Sequence, residues 1–482
     1  MTTFERRGLA PSLRFRFDKS DSVPLHEQLR AQLVALLTEG RLSPTQRMPS
    51  ARSLALDNGV SRTTVEESYS ALVQEGLLVR VQGSGTYVAP RPAHLHGAMK
   101  SVQASGGSSA TSSDNHDCGA PITSLVVETE KFRKDWNLAA KNALRRFPSR
   151  LLGYGDPLGQ PTLREQIAYH LAKRRGILCD AEQVIITSGS QQAIYLAINI
   201  LLQARDRIIV EDPCYHNVVD LLRFQKLDIL PVPVDDHGLI VERAPPARAV
   251  YITPSFQYPL GVKMSLDRRL QLLAWAERNG AWIIEDDYGS ESIDQSCAET
   301  SLFTLSNSGQ VLYTGSFSRT LFPGLRLGYI VLPKSMVDAF ARLKSLIDRE
   351  TSVLNQLVLE EFLKEGKIDP YIRRTWKAYE RLRNVFFQEA EQYLSDKLEI
   401  TKKSEGVFAT LFLREDHNDV TIAKRAEESG LLVRALSSSY LKTPPRPGLM
   451  IYYHTVSLDA CERQVLDLAR AIRQCEAAPC TG

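Results

Sequence analysis

The chain has 482 residues, with 59 Lys and Arg against 56 Asp and Glu, a net charge of +3, and 43% hydrophobic and 24% charged residues. That length supports more than one domain with its own core, and apolar runs such as AIYLAINILL (193–202) fall far short of the roughly 20 residues a membrane-spanning helix needs. Seven scattered cysteines without a C-x-x-C pair argue against a disulfide framework and a zinc site, and MTTFERRGLAPSLRFRF lacks the apolar core of a secretory signal. Residence in the cytoplasm is therefore expected. The small positive excess falls in the first fifth of the chain, which is compatible with a nucleic-acid module.

In chain order, PLHEQLRAQLVALLTEG (24–40) keeps leucines at helical spacing between a starting proline and a closing glycine, and predicts an amphipathic helix. SARSLALDNG and SRTTVEESYSALVQEG predict two short helices around Asn58-Gly59-Val60, with Ser61 capping the second. LLVRVQGSGTYVA then predicts a β-hairpin turning at 82–85. Ser61, Arg62, Thr63 and Thr64 place small hydroxyls and one guanidinium at the leading end of a helix, where they reach phosphates and base edges. The bland reading is a capped helix with a solvated arginine.

The whole string from MPSARSLALDNG to GSGTYV resembles the winged helix-turn-helix of GntR-type bacterial regulators. The resemblance implies DNA contacts at Arg52, Ser61, Arg62, Thr63, Thr64 and, in the wing, Gln82 and Gly83. Glu66 stands where many members carry another arginine. The Ser- and Gly-rich run SVQASGGSSATSSDNHDCGA predicts a flexible linker over 89–123, separating a DNA-binding domain (1–88) from a large α/β domain (124–482) with a parallel sheet.

Within that larger part, VIITSGSQQAIYLAINILL (184–202) runs an apolar strand through a Ser/Gly turn into a helix, which points free N–H groups at one spot suited to a phosphate. IIVEDPCYHNVVDLL puts Tyr215 after a strand, where its ring is placed to stack on a planar ligand. AWIIEDDYGSES is an apolar strand ending in acids, at the edge of a parallel sheet where ligands bind. Asp286 and Tyr288 suit a pyridinium nitrogen and a ring hydroxyl. Glu285 and Asp287 read as exposed strand-end acids.

Taken in order these segments resemble fold-type I pyridoxal-phosphate enzymes of the aminotransferase class, with a large parallel-sheet subdomain and a smaller C-terminal α+β subdomain. Behind a GntR-type winged helix, the arrangement is similar to the MocR subgroup of regulators. The resemblance implies phosphate contacts from Ser190, Gln191, Ser316, Ser318 and Arg326, stacking by Tyr215, and ring contacts from Asp286 and Tyr288.

YTGSFSRTLFPGLRLGYIVLP (313–333) departs from that pattern. The family's Schiff-base lysine position holds Arg319, and a guanidinium stays protonated and forms no stable imine. Further departures are Met450 at the substrate-carboxylate arginine, with Arg434 and Arg446 nearby, Phe256 where relatives show histidine, Tyr258 in place of an asparagine, and Asn217 where some relatives show arginine. The expectation is a DNA-binding homodimer with a catalytically inactive effector domain. It takes pyridoxal 5'-phosphate non-covalently, another anionic or phosphorylated molecule, or no ligand. The rivals are an active aminotransferase carrying a DNA-binding appendage, with Lys263 the first lysine to test, and a ligand-free dimerisation platform.

Overall fold

The computed structural model describes residues 7–9, 13–18, 23–38, 41–81, 83–89, 130–147, 153–289, 299–400, 408–414, 417–428, 431–452, 456 and 458–476. The predicted contact at Gln82 and the linker beyond Ala89 lie outside them. The chain divides into two compact units, Met1–His116 and Asp117–Gly482. Among the described residues, no helix is long and apolar enough to cross a membrane.

The first unit runs β1 (Arg7–Leu9), α1 (Leu25–Thr38), β2 (Gln46–Arg47), α2 (Ala51–Asn58), α3 (Arg62–Gln74), β3 (Leu78–Val81) and β4 (Gly85–Val88). Ser50 caps α2 by accepting from the Ser53 N–H at 3.1 Å, and Gly59 ends it in the left-handed region at φ 63°. Val65, Tyr69 and Leu72 recur at helical spacing on α3 and pack with Leu29 and Leu33 of α1 and Leu54 of α2. With its apolar stripe so buried, α3 leaves the opposite face to solvent. β3 and β4 form an antiparallel hairpin that opposes Val81 and Gly85.

The second unit opens with α4 (Glu130–Arg145), α5 (Pro161–Arg175), β5 (Val184–Thr187), α6 (Ser190–Leu201), β6 (Arg207–Asp212), α7 (His216–Phe224), β7 (Asp228–Asp235) and β8 (Gly238–Leu239). It continues through β9 (Ala249–Ile252), α8 (Leu266–Asn279), β10 (Trp282–Asp287), α9 (Leu302–Leu305), β11 (Val311–Ser316), α10 (Phe317–Thr320) and β12 (Gly328–Val331). Then come α11 (Val337–Ile347), α12 (Val353–Lys364), α13 (Ile368–Leu394), β13 (Leu398–Glu399), β14 (Phe408–Leu413), α14 (Asp419–Glu428), β15 (Val433–Ala435), β16 (Gly448–Tyr452) and α15 (Cys461–Glu476).

The large sheet has the order β5-β12-β11-β10-β9-β6-β7-β8. Both of its faces are covered, which explains the unbroken apolar runs. Val184 and Ile186 of β5 and Tyr313 of β11 join one core, while Ile185 and Leu312 join the other. The sheet is mixed rather than wholly parallel, because β12 runs antiparallel to β5 and β11, and β8 antiparallel to β7. The short segment joining β11 to β12 lacks the long crossover helix a parallel return requires. A second antiparallel sheet, β13-β14-β16-β15, packs its apolar face against α13, α14 and α15.

Candidate functional site

In the first unit, Ser61 caps α3 by accepting from the Thr64 N–H at 3.0 Å, and Ser61 Oγ and Thr64 Oγ1 lie 2.8 Å apart. Arg52, Ser61, Arg62 and Thr63 are exposed and Thr64 half-buried, so the leading end of α3 offers hydroxyls, N–H groups and a guanidinium together. Arg62 Nε donates to Glu66 Oε1 at 2.7 Å one turn along the helix. Gly83 is exposed in the hairpin turn. Sequence reading missed Arg47, whose guanidinium lies against Gly85 of the same hairpin: a methyl group at position 85 would stand 3.3 Å from Arg47 Nε.

In the second unit the predicted residues gather at the carboxyl ends of β5, β6, β10 and β11. Gly189 begins α6 at φ 108°, without a side-chain cap, so the first N–H groups of the helix point outward. The Arg326 guanidinium lies over this turn, since a methyl group on Gly189 would sit 3.5 Å from Arg326 Nη1 and Nη2. The start of β12 also approaches closely, and a methyl group on Gly328 would come within 2.8 Å of the Gly189 carbonyl carbon. Ser190 is the half-buried first residue of the helix, and Gln191 Nε2 donates to the Asn217 carbonyl at 3.3 Å. Ser316 Oγ accepts from the Ser318 N–H at 3.1 Å, while Ser318 Oγ is buried with no hydrogen-bond partner among the described residues.

Asp286 is buried at the end of β10. It accepts from Tyr251 Oη at 2.7 Å and from Thr314 Oγ1 at 3.0 Å. Burial pushes its pKa up to about 6, against the lowering effect of those two hydrogen bonds and of the Arg319 charge. Glu285 and Asp287 correct the sequence reading, for both are buried. Asp287 pairs with Arg175 at 2.9 Å and accepts from Tyr313 Oη at 2.6 Å, while Glu285 lies 3.7 Å from Arg269 and caps α9 by accepting from the Leu302 and Phe303 N–H groups. The arginines reside on α5 and α8, distant in sequence, and only packing makes these acids internal.

Arg319 stands on α10 with its guanidinium carbon 5.3 Å from the Tyr288 ring centroid. Among the described residues it forms no ion pair with Asp286. Burial works to lower its pKa, and the phenols of Tyr452, Tyr288, Tyr258 and Tyr215 outweigh that effect and hold it above the ordinary value. The rings form a cluster: Tyr215 and Tyr258 lie 5.0 Å apart and Tyr258 and Tyr288 6.1 Å apart, edge to face, with Tyr258 Oη 3.4 Å from Tyr452 Oη. Tyr215 Oη accepts from Asn217 Nδ2 at 2.6 Å, and Tyr288 Oη is buried with no hydrogen-bond partner among the described residues. Phe256 packs 5.7 Å from Phe408 in the same core.

Met450 is buried between Thr410 and Arg434, its register partners on either side. Arg446 pairs with Glu399 at 2.5 Å and covers the Phe412 ring at 3.8 Å, which directs it elsewhere. Tyr251, Thr314 and Tyr452 went unread in the sequence.

Residues 131–448 match the family of aminotransferases class I and II, and residues 25–88 match the bacterial regulatory proteins of the gntR family. The chain is similar to the probable rhizopine catabolism regulatory protein MocR of Rhizobium meliloti, at 33% identity over 90% of this chain and 91% of that protein. It is also similar to the HTH-type transcriptional regulator TauR of Rhodobacter capsulatus, at 31% identity over 93% and 96% of the two chains. Among solved structures it is similar to LysN, the alpha-aminoadipate aminotransferase of Thermus thermophilus, complexed there with N-(5'-phosphopyridoxyl)-L-leucine. That match has a TM-score of 0.66 and 26% identity, covering 74% of this chain and 92% of LysN. The chain thus belongs to the MocR-type regulators, in which a GntR-family helix-turn-helix is joined to a fold-type I aminotransferase domain.

Proposed function

We propose that this protein is a cytoplasmic DNA-binding transcription regulator that works as a homodimer and whose aminotransferase-like domain is a non-catalytic ligand-binding module. Residues 1–88 read DNA, 89–123 connect, and 124–482 bind ligand and dimerise. Arg52, Ser61, Arg62, Thr63, Thr64 and Gly83, together with Gln82, supply the phosphate and base contacts. Support comes from α3, whose buried stripe frees an end lined with hydroxyls and a guanidinium.

Arg319 carries the non-catalytic reading. Two halves of a pyridoxal phosphate fit differently. The α6 turn with Arg326, Ser190 and the unpartnered Ser318 Oγ suits a phosphate. Tyr215, Asp286 and Tyr288 suit a planar heterocycle, with the acid on its ring nitrogen. The aldehyde finds no such fit, because the basic group among the phenols is a guanidinium. When covalently bound to a lysine, that cofactor supplies an electron sink for amino-acid chemistry. Here the residues hold, orient and charge-pair a ligand without such a bond.

Exposed apolar side chains favour a dimer: Tyr154 is 78% exposed beneath the Arg349 guanidinium, and Leu346 is 84% exposed nearby in sequence. Two tethered DNA-reading modules gain specific affinity that one small module lacks.

The test takes the full chain with pyridoxal 5'-phosphate, reduces it with borohydride and maps lysine peptides by mass spectrometry. Absence of a stoichiometric adduct is expected. A single fully labelled lysine, Lys263 included, overturns the non-catalytic reading, and a concentration-independent monomer in sedimentation overturns the dimer.

A further inference from the structure

Arg319 is a half-buried charge among aromatic rings, 5.3 Å from the Tyr288 ring centroid, and it forms no ion pair with its nearest acid, Asp286, among the described residues. Asp286 is engaged by Tyr251 and Thr314 instead, and among the described residues Arg319 donates no hydrogen bond. Burying a charge costs free energy unless an opposite charge or strong acceptors meet it. The Tyr288 hydroxyl, buried and unpartnered among the described residues, belongs to the ring that the Arg319 guanidinium faces. A donor set of one planar guanidinium and one free hydroxyl matches a carboxylate, which accepts two parallel N–H bonds from a guanidinium. An aldehyde offers it one weak neutral acceptor, and an ammonium is repelled.

We propose that the pocket takes, without covalent bonding, an aromatic phosphate monoester whose ring bears a carboxylate on the side facing Arg319. The phosphate lies at the α6 turn under Arg326 and the carboxylate lies at Arg319. This rests on the reading of the large unit as a non-catalytic ligand module, and extends it to the acid that the site selects. Replacement of a lysine by arginine then marks a change of ligand, from a reacting carbonyl to a carboxylate.

The experiment is titration calorimetry of the full chain with three phosphates that share one ring and differ at a single substituent: pyridoxal 5'-phosphate, pyridoxamine 5'-phosphate and 4-pyridoxic acid 5'-phosphate. The carboxylate is expected to bind roughly tenfold to a hundredfold more tightly than the aldehyde, the range of a charge-assisted hydrogen bond over a neutral one, with the amine weakest. Arg319→Gln brings the carboxylate and aldehyde to within about threefold, and Arg319→Lys reverses their order. Aldehyde binding as tight as the carboxylate in the unsubstituted chain overturns the proposal, as does a preference retained in Arg319→Gln. Should that variant fail to fold, the ranking in the unsubstituted chain decides. Binding of none of the three overturns the ligand class and leaves the non-catalytic reading standing, whereas a borohydride-fixed adduct in the unsubstituted chain overturns both.

Discussion

Arg62 and Glu66 form an ion pair 2.7 Å long on one face of α3, with the Arg62 side chain 69% exposed. The pair occupies the guanidinium proposed above to contact DNA, so on that reading binding exchanges an internal carboxylate for an external phosphate. An exposed i,i+4 pair contributes only about 0.3–0.5 kcal/mol to stability, and its main consequence is electrostatic.

Glu66→Gln is therefore expected to leave the fold intact and to tighten DNA binding several-fold. Arg62→Ala weakens binding at least tenfold and flattens the dependence of log K on log salt by about one unit if the contact is to phosphate. Fluorescence anisotropy on a duplex recovered by in vitro selection, run across a salt series, measures both. Equal affinity in all three proteins removes Arg62 from the interface.

Buried acid at the ends of β6 and β10 costs stability at neutral pH. Burial pushes Glu211 up to about 7 and Asp286 up to about 6. A carboxyl with a raised native pKa binds its proton more tightly folded than unfolded, so stability is lost as pH rises from about 4 to about 7. Glu211 accepts from the Thr253 N–H at 3.0 Å and from Thr253 Oγ1 at 2.6 Å, contacts that an amide oxygen also takes. Glu211→Gln should thus stabilise the large unit by on the order of 1–2 kcal/mol at pH 8 and by little at pH 5. Thermal unfolding at both pH values decides, and an equal shift at each contradicts the linkage.

The pair of Arg175 and Asp287 is fully internal, at 2.9 Å, with Ser255 Oγ accepting from Arg175 at 2.9 Å. Arg175→Met strands a buried carboxylate and is expected to cost about 3–5 kcal/mol, whereas Arg175→Met with Asp287→Asn regains part of it. Urea denaturation of the set measures the coupling. Additive losses would show that the two side chains act independently.

Asp212, at the end of β6, accepts from the N–H groups of Leu441, Lys442 and Thr443, at 2.7, 3.0 and 2.6 Å, in the stretch between β15 and β16. It ties the smaller sheet to the large one beside Tyr215. Asp212→Ala is expected to cost about 1–3 kcal/mol and to speed hydrogen exchange at amides 441–443 selectively. Unchanged exchange there would mean that other contacts hold the segment.

The helix-turn-helix with its hairpin, and the strands that lead into the site, were legible along the chain alone. Ser61 and Gly59 announced the helix-turn-helix because caps act within a few residues, and the apolar run of 281–284 announced a buried strand. Local order also placed Arg319 in the segment between β11 and β12 and set that residue's chemistry, since a guanidinium is the same wherever it folds. Packing in three dimensions settled the rest. Thr314 reaches Asp286 because β10 and β11 pair in that register, and Tyr251 because β9 flanks β10 on its other side. Glu285 and Asp287 became internal because Arg269 and Arg175 arrive from helices packed on the sheet, and β12 turned antiparallel because its connection is short. The tyrosines around Arg319 come from β16 and from the segments that follow β6, β9 and β10. Their convergence depends on contacts between elements remote along the chain, which local periodicity does not encode.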